Sequence, residues 1–339
     1  MKAIIIDAPR RIRVGDWADP RVGPSEALVS TRSTGVCAGD LFIYQGKNPY
    51  AVYPGVAGHE IAGVVTEAGA EVQGLAPGTP VVIEPFIGCG TCYACRAGKS
   101  NCCAKLRIIG VHQPGGFGEL VVAPAEKIHR IPPGLSFSEA AFAEPVAIGV
   151  QACRRGDIKR GEYTLVLGCG PIGLAIIEVA KAKGARVVAT DVNEARMETA
   201  AKLGAKVLPG GDALLTAIMK RTNGEGAAVV VEATGNEKAM EQTVDLVAAG
   251  GRIVIVGLVK EGTRVSFPGL DFTRKEMTIV GSRASVRCFG ESLELLASGA
   301  IRYPKIATMV DMWEGPRAFR ELADNPGKYH KVVFERTEA

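Results

Sequence analysis

A glycine-rich turn between an apolar strand and a helix constrains the fold more than any other feature of the sequence. Residues 164–168 read TLVLG, and CGPIG follows before the helical run IGLAIIEVAKAK. Because RVVATD at 186–191 forms the next predicted strand, this stretch is a βαβ unit. Its turn carries Gly168, Gly170 and Gly173, a spacing that lets the backbone approach a pyrophosphate at a helix N-terminus. We therefore predict a dinucleotide-binding unit.

Four further residues of this unit are candidate cofactor contacts. Pro171 and Ile172 complete the turn, and Asp191 ends the second strand. A carboxylate there accepts hydrogen bonds from both ribose hydroxyls of NAD but repels the 2′-phosphate of NADP, so we predict NAD. Arg196 is ambiguous, because it could pair with a phosphate, stack near the adenine, or be a solvated helix residue.

The chain on either side of this unit predicts a two-part α/β architecture. Further strands at 206–208, 228–232, 252–257 and 277–281 alternate with helices and complete a six-stranded, doubly wound parallel sheet. Upstream, the segments AIII, ALVST, the valine-rich run around Val64, PVVI and ELVVAP are short strands separated by glycine and proline. That pattern predicts a β-rich, barrel-like domain. A length of 339 residues also favours two domains.

Four cysteines in the β-rich part form a candidate structural metal site. Cys89, Cys92, Cys95 and Cys103 follow the spacing C-x2-C-x2-C-x7-C within a glycine-rich loop. Four thiolates can reach one tetrahedral zinc ion, and such a site has no open coordination position. We expect this zinc to support the fold and not the chemistry.

A second candidate metal site is distributed along the same domain. Cys37 follows Gly35 and Val36, and His59 and Glu60 follow Gly58. A thiolate, an imidazole and a carboxylate are a typical ligand set for a catalytic zinc. Glu144 lies in the apolar run AFAEPVAIG, where an unpaired charge is costly, and a metal would explain it. The prediction is two zinc ions per chain.

Composition and charge limit the other possibilities. The net charge of +4 is small and dispersed, which argues against a nucleic-acid partner. The sequence has no run of 18 apolar residues and does not begin like a secretory signal, so we expect a cytoplasmic protein without a membrane partner. Nine cysteines in 339 residues are too sparse for a disulfide scaffold, and their spacing indicates metal ligands and small core residues.

Taken together, these residues resemble the zinc-dependent medium-chain alcohol dehydrogenase family over essentially the whole chain. The signature G-H-E-x2-G-x5-G-x2-V is present from Gly58 to Val72. Glu144 precedes a proline where alcohol dehydrogenases of the best-known type have a cysteine ligand, which is similar to the sorbitol and threonine dehydrogenase branch. The resemblance implies a GroES-like catalytic domain from residues 1–148 and 283–339, an inserted Rossmann domain from 149–282, and an active site in the cleft between them.

The resemblance also implies a mechanism and a ligand set. Zinc would act as a Lewis acid on the substrate hydroxyl, and NAD would accept the hydride. Cys37, His59 and either Glu60 or Glu144 would hold the metal, with Glu144 favoured in the resting state. Related enzymes often have a proton relay of Ser or Thr and His where this chain has Gly39 and Phe42. Glu144, Tyr44 or water would have to replace that relay.

A narrower likeness concerns the substrate. The segments IYQGKNPYAVYPGVAGHE, IIGVHQPGGFGE and VGSR are similar to bacterial dehydrogenases of hexonic acids, such as L-galactonate, L-gulonate and L-idonate 5-dehydrogenases. This likeness implies oxidation of a secondary hydroxyl to a ketone. It also implies that Arg283 could pair with a substrate carboxylate and that His112 and Tyr44 could contact the substrate.

Several alternatives remain open from the sequence alone. Within the same enzyme class the substrate could be a neutral polyol or L-threonine. From other classes, the four-cysteine loop could belong to a zinc-finger-like binding module, or the chain could be a catalytically silent relative. The family likeness further implies a homodimer or homotetramer, associated through the edge of the Rossmann sheet around residues 252–267.

Overall fold

The computed structural model describes residues 1–325 and 327–337, which fall into two compact units. The first unit contains Met1–Glu144, Phe289–Ser298 and Pro304–Ala339, and the second contains Pro145–Cys288 and Gly299–Tyr303. The predicted boundaries, after residue 148 and before residue 283, lie a few residues from these divisions. The sequence did not predict that the chain returns to the second unit at Gly299–Tyr303.

The elements of the described residues are numbered in chain order. The strands are β1 Lys2–Ala8, β2 Arg11–Asp16, β3 Glu26–Val36, β4 Glu60–Ala68, β5 Pro80–Ile83, β6 Phe86–Ile87, β7 Arg107–Ile108, β8 Leu120–Pro124, β9 Ile128–Arg130, β10 Tyr163–Leu167, β11 Arg186–Thr190, β12 Lys206–Val207, β13 Ala227–Glu232, β14 Val247–Ile255, β15 Thr278–Gly281, β16 Thr308–Asp311 and β17 Val332–Glu335. The helices are α1 Ala38–Tyr44, α2 Tyr93–Arg96, α3 Phe137–Ala140, α4 Ala143–Arg155, α5 Pro171–Ala182, α6 Glu194–Lys202, α7 Ala213–Arg221, α8 Glu237–Leu246, α9 Gly269–Lys275, α10 Phe289–Ala297 and α11 Gly315–Asp324.

The second unit contains the predicted six-stranded parallel sheet. Its strand order is β12-β11-β10-β13-β14-β15, with the order reversing between β10 and β13. That reversal is where doubly wound sheets bind ligands, beyond the carboxyl ends of the strands. The strand β14 begins at Val247, before the predicted position 252, because Val247 pairs with Ala227 ahead of a register irregularity.

The core of this sheet follows from its sequence. Strand β10 is buried from Thr164 to Leu167, as expected for a parallel strand covered on both faces. Leu165 packs in a cluster with residues of the neighbouring strands and of α7 and α8, including Val230, Ile218 and Val244. The sheet is therefore a rigid base for the loops that leave its carboxyl ends.

The first unit is built around the long strand β3. A seven-stranded sheet has the order β16-β17-β3-β4-β5-β9, and β8 also pairs with β3. The β segments predicted from the sequence correspond to β1, β3, β4, β5 and β8. Phe117 packs edge-on against Phe319 and Phe334, with ring centroids 5.6 and 5.2 Å apart. The last described strand, β17, thus pairs with β3, the earliest strand of the same sheet, while β1 and β2 form a separate two-stranded sheet.

The helices bear on the prediction that the sequence has no membrane-spanning segment. Among the described residues, every helix is too short or too polar to traverse a lipid bilayer.

Candidate metal and cofactor sites

The four predicted cysteine ligands converge in one loop of the first unit. The sulfur atoms of Cys89, Cys92, Cys95 and Cys103 all lie within 4.8 Å of one another. The sulfur of Cys92 lies 3.6 Å from that of Cys95 and 3.8 Å from that of Cys103. A tetrahedral zinc with bonds of about 2.3 Å requires sulfur separations of about 3.8 Å, so this arrangement fits the ion.

Local structure explains why the loop closes. The short helix α2 begins directly after Cys92, which brings Cys92 and Cys95 to the same side of one turn. Backbone N–H groups of Cys89 and Lys105 donate to the sulfur of Cys103, each at 3.2 Å. A hydrogen bond from the backbone of Thr91 lowers the pKa of the Cys89 thiol to about 5. The pKa of Cys92 is lowered as well, whereas burial raises the pKa of Cys95 to about 11. The loop therefore favours thiolate, the form of cysteine that binds metal, at Cys89 and Cys92.

The second predicted cluster forms where β3 meets β4. Cys37, His59 and Glu60 each place a ligand atom within 4.8 Å of the others. Antiparallel pairing of Gly35 with Glu60 brings Cys37, just beyond β3, beside the residues that start β4. A Cβ atom at Gly35 would lie 1.9 Å from Glu60 Oε2, so glycine is required to leave room for this carboxylate.

Asp40 lies behind the ligands Cys37 and His59 and contacts both residues. The sequence did not predict its contact with His59. Asp40 is fully buried, and its Oδ2 accepts a hydrogen bond from the Cys37 N–H at 2.8 Å. Its Oδ1 accepts from the Gly58 N–H at 3.2 Å and lies 3.3 Å from His59 Nδ1. Burial lowers the pKa of His59, but the charges and hydrogen bonds of Asp40 and Cys37 together raise it well above its usual value. The contact with Asp40 at Nδ1 leaves Nε2 of His59 available to a metal, as carboxylates behind metal-binding histidines do.

Lys331 is a second residue that the sequence did not identify. Its Nζ lies 2.5 Å from Glu60 Oε1 and donates to the Val36 carbonyl at 3.0 Å, and both charged side chains are 2% exposed. It reaches the site because β17 pairs with β3 from the opposite end of the chain. Glu60 Oε2 remains buried without a hydrogen-bond partner. One oxygen of this carboxylate is therefore held by an ammonium group, and the other is available to a metal.

Glu144 lies close to this cluster in the first turn of α4 but outside the compact group. It is 2% exposed, and burial raises its pKa to about 7, while the charges of His59, Glu60 and Lys331 also act on it. The structure thus brings Glu60, and not Glu144, into the tight group with Cys37 and His59. The prediction that Glu144 is the resting ligand stays a prediction.

The donor set of this cluster fits a catalytic zinc. Sulfur, nitrogen and oxygen ligands are combined, and Glu60 Oε2 is a buried oxygen without another partner. Gly39, at the relay position, faces the ligands, because a Cβ atom there would lie 3.8 Å from His59 Cε1 and 4.0 Å from Cys37 Sγ. A relay hydroxyl would have fitted at this point, and the chain has none.

The predicted cofactor turn lies at the carboxyl end of the parallel sheet. Gly168 follows β10 with φ +99°, and Gly170 caps α5, whose first residue is Pro171. Ile172 lies in the first turn of the same helix. A Cβ atom at Gly173 would lie 1.9 Å from the Gly168 carbonyl oxygen, so this glycine allows the turn and the helix to touch. The geometry is that of a helix N-terminus prepared for a phosphate.

Asp191 and Arg196 line a cavity of about 400 Å³ beside this turn. Asp191 accepts hydrogen bonds from the backbone N–H groups of Cys169 at 2.7 Å and Asn193 at 2.8 Å. Arg196 Nη1 lies 4.0 Å from the same carboxylate. Three lining residues were missed by the sequence reasoning, because they follow the fourth strand and carry no motif: Thr234, Asn236 and Gln242.

The three predicted substrate residues lie in different surroundings: one lines a cavity, one is exposed and one is buried in the core. His112 lines a cavity of about 220 Å³ in the first unit, and its Nδ1 accepts a hydrogen bond from the Ile108 N–H at 3.1 Å. Arg283 is exposed in the second unit, just after β15. Tyr44 is 3% exposed and packs against Phe319 in the core. That burial argues against the predicted role of Tyr44 in substrate contact or proton transfer.

Comparison with known proteins decides the family. Residues 171–298 match the family described as zinc-binding dehydrogenase, and residues 23–133 match the alcohol dehydrogenase GroES-like domain. L-galactonate-5-dehydrogenase of Escherichia coli is 38% identical, covering 93% of this chain and 94% of its own. The chain belongs to the zinc-type alcohol dehydrogenase family.

Other members and their structures agree. L-threonine 3-dehydrogenase of Pyrococcus horikoshii is 35% identical over 93% of this chain and 92% of its own. A zinc-binding dehydrogenase of Sinorhizobium meliloti bound to NADP has a TM-score of 0.91, 30% identity and 98% coverage of both chains. An alcohol dehydrogenase of Escherichia coli complexed with NADH has a TM-score of 0.91, 29% identity and 99% coverage of both chains.

The predicted family, fold class, enzyme class and cofactor types are thereby confirmed. The dehydrogenase is an oxidoreductase acting on CH–OH donors, with zinc and a nicotinamide dinucleotide as cofactors. The alternative of a zinc-finger-like module has no support, because both family models and a near-full-length relative match the chain as a dehydrogenase.

Proposed function

We propose that this dehydrogenase oxidises a secondary hydroxyl group of a sugar acid, a hexonate, to a ketone with NAD as the hydride acceptor. The observation that carries the reaction type is the Cys37–His59–Glu60 group, whose mixed donors and buried carboxylate oxygen without a hydrogen-bond partner fit a catalytic zinc. The substrate class is supported by the 38% identity to an L-galactonate-5-dehydrogenase over nearly the whole chain.

The residues around the metal have distinct proposed roles. Cys37 and His59 would hold the zinc together with Glu60 or Glu144, and Asp40 orients the ring of His59 through its contact at Nδ1. When bound, zinc supplies a Lewis acid that polarises the substrate hydroxyl. The hydroxyl proton leaves through Glu144 or water, because Gly39 and Phe42 carry no relay group and Tyr44 is buried.

The residues around the cofactor select NAD. Backbone N–H groups of Cys169 and Asn193 donate hydrogen bonds that orient the Asp191 carboxylate beside the cavity, where it would accept hydrogen bonds from the ribose hydroxyls of NAD. A 2′-phosphate would approach this negative charge directly. Arg196 lies 4.0 Å from the carboxylate and offsets part of this repulsion, so some use of NADP is compatible with the proposal.

The carboxylate and hydroxyl groups of the substrate have proposed partners as well. Arg283 is exposed and is the proposed partner of the substrate carboxylate, since a guanidinium binds a carboxylate in a bidentate fashion. Nδ1 of His112 accepts a backbone hydrogen bond, so the neutral ring carries its proton on Nε2 and can donate to a sugar hydroxyl.

The experiment that tests the proposal is a screen for NADH formation across aldonates, neutral polyols and L-threonine. We expect a hexonate to give the highest kcat/KM with NAD. L-threonine is the second candidate, because a threonine dehydrogenase is 35% identical over 93% of the chain. A polyol or L-threonine that exceeds every sugar acid by tenfold would contradict the proposed substrate but not the enzyme class.

We further propose a homodimer or homotetramer. Strand β15 is the outer strand of the parallel sheet, and Leu258 and Leu270 on the neighbouring segments are 88% and 64% exposed. Such apolar side chains beside an open sheet edge suit association with a second copy. Light scattering on the purified enzyme tests this, and a monomer at micromolar concentration would refute it.

A further inference from the structure

Glu232 is a buried carboxylate in the second unit for which the reaction described above has no use. It is the last residue of β13, and its side chain is 0% exposed. Within the described residues it forms no salt bridge, although a buried charge is costly unless it is paired. Its position at the carboxyl end of the parallel sheet calls for another explanation.

The side-chain hydrogen bonds of Glu232 in the described structure go to the loop that follows it. Oε1 accepts from the Thr234 N–H at 2.6 Å and the Gly235 N–H at 3.1 Å, and also from the Thr234 hydroxyl. Oε2 has no partner and is fully buried. One carboxylate oxygen therefore gathers three donors from two consecutive residues and fixes the direction in which the chain leaves the strand.

This loop packs directly against the glycine turn of the cofactor site. A Cβ atom at Gly168 would lie 2.9 Å from Thr234 Cγ2 and 3.2 Å from the Ala233 carbonyl oxygen. Ala233 also donates its N–H to the Leu167 carbonyl at 2.9 Å. Thr234 then lines the 400 Å³ cavity together with Gly168 and Asp191. The position of Thr234 thus determines the width of the cavity beside the phosphate-binding turn.

The opposite side of the loop is held equally closely. A Cβ atom at Gly257 would lie 2.1 Å from the Gly235 nitrogen and 2.6 Å from Glu232 Oε2. Gly235 has φ +70°, and a Cβ atom there would lie 2.5 Å from the Leu258 carbonyl oxygen. Backbone therefore packs on backbone at this side, and the loop cannot move away from the cavity without losing these contacts.

We propose that Glu232 is a positioning residue that holds the 233–235 loop as a wall of the pocket for the adenosine half of the cofactor. The assignment to that half follows from Asp191, which shares the cavity and is the proposed partner of the adenosine ribose. The inference rests on the proposed function, because it takes this cavity as the NAD site.

Two substitutions separate the acceptor role of Glu232 from its charge. Glu232→Met has a similar volume but accepts no hydrogen bond, so the three loop donors lose their partner. We expect the Kd of ADP-ribose and of NADH to rise at least about tenfold. Glu232→Gln keeps an acceptor oxygen and loses no cation partner, so its Kd values should stay within about threefold of the parent.

Glu178 provides a matched control in the same unit. It is also a buried carboxylate at 2% exposure, and it accepts from the backbone N–H groups of Arg302 at 2.9 Å and Tyr303 at 2.7 Å. It does not line the cavity around Asp191. Glu178→Met should lower the Tm as Glu232→Met does, but it should leave the Kd of ADP-ribose unchanged.

The measurements are calorimetric titration with ADP-ribose, fluorescence titration with NADH, and steady-state kinetics on the zinc-loaded enzyme. The expected kinetic result for Glu232→Met is a raised KM for NAD with kcat largely retained. If Glu232→Met does not fold, Thr234→Val, which removes one donor at constant shape, should raise the same Kd by about threefold.

The outcomes distinguish failure of the proposed function from failure of the positioning role of Glu232. A parent enzyme that binds neither ADP-ribose nor NADH would refute the proposed function itself. A parent enzyme that binds both, with Glu232→Met altering Tm but neither Kd, would overturn the positioning role alone. A loss in Glu232→Gln equal to that in Glu232→Met would also overturn it, since charge and not the acceptor oxygen would then matter.

Discussion

Replacing Lys331 by methionine should make the enzyme bind its catalytic zinc more tightly while making the zinc-free protein less stable. Lys331 Nζ lies 2.5 Å from Glu60 Oε1, and both side chains are 2% exposed. Removing one partner of such a pair leaves an uncompensated buried charge, which costs about 3–5 kcal/mol. Zinc supplies positive charge to the same carboxylate, so the substitution should lower the free energy of unfolding less in the zinc-loaded protein than in the zinc-free protein.

The size of the effect on zinc follows from this difference. If the metal compensates about half of the 3–5 kcal/mol, the variant gains about 2 kcal/mol of zinc-binding free energy relative to the parent. That corresponds to a zinc Kd about thirtyfold lower, since about 1.4 kcal/mol is a factor of ten. Competition with a chromophoric chelator measures this Kd directly. Cobalt-substituted enzyme should also show an altered visible spectrum, because Glu60 is no longer held by the ammonium group.

Two variants control for this experiment. Lys331→Arg keeps the charge and should remain within a few-fold of the parent zinc Kd. Lys275→Met removes an ammonium group that donates only to the carbonyls of Val244 and Val247, at 2.6 and 3.1 Å. It should lower stability without altering zinc binding. An unchanged or weakened zinc affinity in Lys331→Met would show that Lys331 does not compete with the metal for Glu60.

Three further predictions concern the other sites. Fresh enzyme should contain two zinc ions per chain, of which a mild chelator removes one; elemental analysis giving one zinc or none would contradict this. Cys92→Ser should lower the Tm clearly while leaving the kcat of the molecules that remain folded nearly unchanged. Asp191→Ala should reduce or reverse the preference for NAD, measured as the ratio of kcat/KM with NAD and NADP, whereas equal parent values would show that Arg196 dominates. Arg283→Ala should raise KM for a hexonate by about ten- to a hundredfold and leave KM for a neutral polyol nearly unchanged; an equal effect on both substrates would refute carboxylate recognition.

Local patterns made most of the architecture predictable. The parallel sheet of the second unit was predictable because its central strands are short apolar runs followed by helices, and the glycine turn joins the first of these strands to a helix. The cysteine loop was readable because all four ligands occur within one short segment, Cys89 to Cys103. In both cases the information that defines the site is contained in neighbouring residues.

The residues that were missed or misread depend on distant or three-dimensional information. Lys331 reaches Glu60 only through pairing of the last strand with β3, although a lysine beside a fully buried strand was a usable signal. Tyr44 was misread because helix α1 buries Asp40, Ile43 and Tyr44 on one side and leaves Phe42 half exposed. Attention to this helical periodicity would have placed Tyr44 in the core and Asp40 beneath the metal ligands.

The way the chain is divided has a consequence for biosynthesis. The second unit consists mainly of one uninterrupted segment, Pro145–Cys288, whereas the first needs three segments, the last of which carries Lys331 and β17. Domains fold as units while the ribosome is still adding residues, so the cofactor half can fold before the metal half has its final strand. Until that strand arrives, Glu60 has no ammonium partner, and the carboxylate is at its most receptive to zinc. The nascent enzyme should therefore be able to bind its catalytic metal before synthesis is complete, and truncation before Lys331 should yield a folded nucleotide-binding half and a metal centre that lacks its lysine.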